Sequence, residues 1–130
     1  MADDEAIELT LPADTRLVRL ARLVASGVAA AVNFDVDEVD DLRIAVDEMC
    51  TALIEGGDGT PLRLRFVVGD DDVCVRGESG LGEGALSMES DRLSLSKQIL
   101  GVVVNEHELI VGDDAISFRL RKVRQRGGEL

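Results

Sequence analysis

The chain has 130 residues, 45% of them hydrophobic, and a formal net charge of −12. That length fits one compact domain with a core of its own, 1–130, and no apolar run approaches the ~18 residues of a membrane span. The negative charge excludes non-specific nucleic-acid binding, which needs phosphates neutralised by Lys and Arg, and three Phe as the whole aromatic complement exclude a stacking platform for bases.

The opening "MADDEA" has none of the positive charge of a targeting segment, so a cytoplasmic protein is expected. A single histidine, His107, rules out a multi-histidine metal site. The two cysteines, Cys50 and Cys74, match no metal or redox spacing and read as free thiols. Acids crowd the stretch from Asp35 to Glu48, while Arg119, Arg121, Lys122, Arg124 and Arg126 make the end of the chain basic. The acidic balance suits a basic protein partner.

In chain order, "AIELTL" alternates and predicts a strand over residues 6–11. Pro12 ends it, and Asp14 or Thr15 caps a helix running to about Ala31. Its apolar stripe is Leu17, Leu20, Val24 and Val28, beside a basic stripe of Arg16, Arg19 and Arg22. Asp35 caps a second helix over 36–54, with Val39, Leu42, Val46, Met49 and Leu53 on its buried side. "EGGDGTP" ends that helix, and "LRLRFVV" and "DVCVR" form a hairpin over 62–68 and 72–76. The glycine-rich segment 77–87 reads as a loop, 90–103 as a third helix, and "ELIVG" with "AISFRLRK" as a closing hairpin. The order β-α-α-β-β-α-β-β predicts an α+β fold: a two-layer sandwich, a mostly antiparallel sheet with helices on one face.

The segments "LPADTRLVRLARLV" and "DVDEVDDLRIAVDEMCTALI", followed by a hairpin and a glycine-rich loop, resemble the anti-sigma-factor serine kinases. Those belong to the GHKL superfamily, the histidine-kinase-like ATPases of the Bergerat fold. The resemblance covers nearly the whole chain in element order and is most specific in the second helix.

The resemblance implies three nucleotide motifs. The first is Glu and Asn at i and i+4 on the second helix, one above the other on one face. Glu48 matches the base, but Ala52 stands where the Mg²⁺ ligand belongs, and a methyl group cannot ligate a hard cation. Asp47 and Thr51 turn away by about 100° each. The second is an Asp-x-Gly-x-Gly turn that receives adenine. Strand register puts Gly77 at the Asp, whereas a one-residue slip matches Glu78, Gly80 and Gly82. The third is a glycine segment opening the third helix under the phosphates, where Ser94 and Ser96 replace glycines and Lys97 adds a charge.

The expectation is therefore a regulator of anti-sigma type with lost or weakened ATP binding. It would bind a sigma factor, a STAS-fold anti-anti-sigma protein, or both. No cofactor is expected unless the site functions, in which case ATP and Mg²⁺ are the pair. The alternatives are an active protein serine kinase using Glu48, and a non-catalytic dimerisation or scaffold module. The resemblance also implies a homodimer through the first strand and helix, with Arg16, Arg19 and Arg22 in that region.

Overall fold

A computed structural model of the chain describes residues 6–83 and 90–125, without the side chains of 90–93. Strand β1 (Ala6–Leu11) leads through one 3-10 turn into helices α1 (Val18–Ala31) and α2 (Val36–Gly56). Strands β2 (Leu62–Val68) and β3 (Asp72–Gly80) follow, then helix α3 (Ser90–Val103) and strands β4 (Glu106–Val111) and β5 (Ala115–Val123). The strands form one antiparallel sheet in the order β1-β2-β3-β5-β4. This is the expected α+β sandwich.

Alternation along the strands divides the sheet into two faces. Leu62, Leu64 and Phe66 of β2, Val73 and Val75 of β3, and Ile116, Phe118 and Leu120 of β5 are buried in one core with the helices. The opposite face carries the charged residues between them, such as Arg63, Arg76, Glu78 and Arg119.

The α1–α2 connection occupies four residues. Asn33 takes a left-handed φ of 61°, which Asn tolerates better than most residues. That turn lets Phe34 N–H reach Ala29 C=O at 3.1 Å and Asn33 N–H reach Ala30 C=O at 3.1 Å, closing α1. Asp35 then opens α2 with a reciprocal cap. Its carboxylate accepts from Glu38 N–H and the Glu38 carboxylate accepts from Asp35 N–H, each at 2.8 Å.

Two expectations are corrected. The buried stripe of α1 is Val18, Ala21, Ala25, Val28 and Ala29. Of the expected stripe Val28 is buried and Val24 packs against the core, whereas Leu20 is 40% exposed. Alanines face α2 because small side chains let two helices approach closely. Strand β3 continues to Gly80, four residues past the expected end, because β5 pairs with it all the way to Gly80↔Ala115. Residues 77–80 are thus strand, and 84–87 of the expected loop lie outside the described residues.

Candidate functional site

Helix α2 fixes the first wall of the site. Its cap at Asp35 and its buried residues Leu42, Val46, Met49 and Leu53 set the rotation of the helix. That rotation turns Glu48, Thr51, Ala52 and Glu55 toward α3 and β4. A cavity of about 240 Å³ lies there. Met49, Ala52, Leu100 and Leu109 give it an apolar lining, and Ser96, Lys97, His107 and Glu108 complete the polar part.

Glu48 and Ser96 meet across this space: the Ser96 hydroxyl donates to Glu48 Oε1 at 2.7 Å. Two residues separately expected at the site are thereby joined, and the bond ties α3 to α2. Ala52 lies one turn along from Glu48, 8% exposed, and presents only its methyl group. Thr51 was expected to turn away, but the cavity is wide enough to include it beside Ala52. Asp47 faces α1 instead, accepting from Arg22 Nη1 at 2.6 Å. Ser94 is exposed and is not among the cavity-lining residues.

The β3 residues lie elsewhere. Glu78 projects from the charged face of the sheet, opposite the helices, and pairs there with Arg63. Gly77, the alternative in strand register, faces the core. A Cβ there would stand 2.7 Å from Phe118 Cζ and 2.8 Å from Leu64 Cδ2, so the core itself fills the place of a side chain.

Gly80 and Gly82 serve a backbone contact. Asp58 N–H donates to Gly80 C=O at 3.0 Å and Gly82 N–H to Gly56 C=O at 2.9 Å, binding the end of β3 to the exit of α2. A Cβ on Gly80 would lie 2.6 Å from Asp58 Oδ1, and one on Gly82 would collide with the Gly57 carbonyl. Gly80 N–H also donates to Thr60 Oγ1 at 3.0 Å, and the Thr60 hydroxyl donates to Asp58 Oδ1 at 2.7 Å. The Thr60 hydroxyl and amide hold the Asp58 carboxyl below the usual carboxylate range. The glycine spacing that suggested a ligand loop is here required by two chain segments in contact.

Of the basic stripe on α1, Arg22 is committed to Asp47. Arg16 folds back onto Asp14 at 2.7 Å, and Arg19 is exposed. The Arg16 guanidinium in turn depresses the Asp14 carboxyl. Among the described residues, strand β1 has a pairing partner on one side only, β2.

Sequence reasoning missed His107 and Glu55 as cavity residues. The alternation "HEL" does put His107 and Leu109 on one face of a strand, but only the packing of β4 against α3 says which face. Among the described residues no group of His, Cys, Asp and Glu is arranged to hold a metal ion.

The family model for the histidine kinase-like ATPase domain matches residues 11–91. The chain belongs to this family. Among curated relatives, the serine-protein kinase RsbW of Bacillus cereus is 25% identical over 124 residues, covering 95% of this chain and 58% of its own. RsbW of Bacillus pumilus is 37% identical over 84 residues, covering 58% of this chain and 52% of its own. The chain thus spans little more than half the length of these relatives. As a histidine kinase-like ATPase domain it has the family's fold, and no helix among the described residues is long and apolar enough to cross a membrane.

Proposed function

We propose that this chain is an anti-sigma-factor-like regulator that works by binding a sigma factor, a STAS-fold antagonist, or both. In this reading Mg²⁺-ATP binding is lost or much weakened. The observation that carries the reading is the pair one turn apart on α2, Glu48 and Ala52, at the positions where the resemblance implies a base and a magnesium ligand. Ala52 offers no oxygen to a divalent cation, and the Glu48 carboxylate already accepts from Ser96. Gly77 has no carboxylate for an adenine amino group, and Glu78 stands on the other face of the sheet. These residues do not fit a magnesium nucleotide in the manner the family resemblance implies.

Family membership and the names of the relatives support a regulatory partner; the net charge of −12 suits a basic one. The outer edge of β1, unpaired among the described residues, and the exposed Arg19 support a homodimer through this region.

Calorimetric titration with a non-hydrolysable ATP analogue and Mg²⁺ tests the reading. The expected result is no saturable micromolar binding, together with retention of a sigma factor or STAS protein on the immobilised chain. A second reading, an active protein serine kinase, rests on the relatives' printed name and on Glu48 in the cavity. Micromolar nucleotide binding, with transfer to a partner serine that Glu48→Ala abolishes, would establish it and overturn the first.

A further inference from the structure

The open face of the sheet carries a row of charge that the cavity plays no part in. Strand register sets Glu8 opposite Arg65, Arg65 opposite Arg76, Arg76 opposite Arg119, and Arg119 opposite Glu108. The row therefore crosses all five strands as acid, three guanidinium groups, acid. Like charges directly opposed on neighbouring strands destabilise a sheet, and this chain places three arginines in succession.

The carboxylates nearby neutralise the outer arginines and leave the middle one. Arg65 donates to Glu8 Oε2 at 2.9 Å, and Arg119 lies 3.8 Å from both Glu106 and Glu108. Glu78, the next residue on this face of β3, is taken by Arg63. Arg76 is exposed, at the centre of the sheet, and has no carboxylate partner among the described residues. A shallow depression lies over it, lined by Arg63, Arg65 and Arg119 together with Glu8 and Glu78, the two carboxylates already paired to Arg65 and Arg63.

We propose that this arginine row is a docking surface for an acidic polypeptide segment, with Arg76 as its anchor. Adjacent strands lie about 4.8 Å apart, so three guanidinium groups span about 10 Å. Carboxylates two residues apart on an extended segment stand about 7 Å from one another, within that reach. Guanidinium binds carboxylate through two parallel hydrogen bonds, a geometry that an ammonium group cannot reproduce.

The face itself argues against other occupants. A second copy docked about a two-fold axis through the row would oppose arginine to arginine. A nucleic acid would find no aromatic residue on this face to stack a base.

Calorimetric titration of the full chain with a deca-glutamate peptide at physiological salt tests the proposal, with a Gly-Ser peptide of equal length as control. Saturable binding to deca-glutamate alone is expected, although the chain is itself acidic, and it should weaken as salt rises. Arg76→Glu should weaken it by about tenfold or more, a loss of about 1.4 kcal/mol or more. Arg76→Lys should retain part of it. Arg76→Thr should lose binding with an unchanged or higher Tm, because it relieves the opposed charges, and it carries the test if Arg76→Glu fails to fold.

Equal binding by the wild type and Arg76→Thr would overturn the proposal, as would no preference over the control peptide. So would equal affinity for citrate or inorganic phosphate, which would make this a small-anion site, or for a deca-thymidine oligonucleotide. Conversion of a dimer to a monomer by Arg76→Glu, read by sedimentation, would assign the face to a second copy instead.

Discussion

Helices α2 and α3 form facing walls of one cavity, yet they are held by different means. Helix α2 is closed by a reciprocal cap and buries Leu42, Val46, Met49, Cys50 and Leu53 along its length. Among the described side chains of α3, Leu100 and Val103 are buried, while Leu95 and Val102 are 57% and 84% exposed. Gly101 in its last turn weakens it further. Packing fixes α2, whereas α3 depends to a greater degree on the bond from Ser96 to Glu48. Glu48 is therefore held rigidly, and the residue that engages it rides on the more easily displaced element.

The strongest way to break this arrangement is to install the acid that the family resemblance would place in β3. Gly77→Asp puts a charged side chain where Phe118 and Leu64 already lie, and it should destabilise the fold by about 3 kcal/mol or more in chemical denaturation. Next in size are two truncations that measure the walls against each other. Leu53→Ala, at a fully buried site on α2, should fall near the upper part of the ~2–5 kcal/mol range for such changes. Leu100→Ala on α3 should fall near the lower part, since its neighbours can close in.

The thiols sharpen the contrast between core and open face. Burial, with Asp47 nearby, pushes the Cys50 thiol on α2 up to about 12. Its folded value thus exceeds its unfolded one. The stability it contributes is complete below about pH 9 and declines as the pH rises toward 12. Melting temperatures at pH 8 and pH 10.5 should therefore fall less steeply in Cys50→Ala than in the wild type. Cys74, half-buried on β3, should react with a thiol reagent well before Cys50.

The smallest effect expected is that of Ser96→Ala. It should cost about 1 kcal/mol or less. Faster amide exchange should be confined to α3, leaving α2 unchanged. Equal acceleration in both helices would show that they open as one unit.

Helix α2 was legible in the sequence almost residue for residue, because a cap, an apolar period and a glycine exit all agreed. The end of β3 was not, since four glycines between Gly77 and Gly84 suggest a loop by composition while β5 supplies the pairing that makes 77–80 a strand. The face of α1 was legible only in part. Val28 lies on it as expected, but leucines outweigh alanines in any hydrophobic pattern. The buried side is made by Ala21, Ala25 and Ala29 with Val18 and Val28 rather than by Leu20. At the site, Glu48 and Ala52 could be placed from helix geometry alone. The meeting of Glu48 with Ser96 could not, because it joins residues far apart in the chain through the packing of α3.

The strand order has a consequence for how the chain assembles. Helices α1 and α2 are neighbours in sequence and in space, so their contact closes a short loop and can form early. Among the described strands, β1 pairs only with β2, which lies beyond both helices. During synthesis from the N-terminus, Ile7, Leu9 and Leu11 must wait until the whole helical hairpin and then β2 have emerged. Docking of β1 should accordingly be a late event, and the interval before it the period of greatest exposure to aggregation.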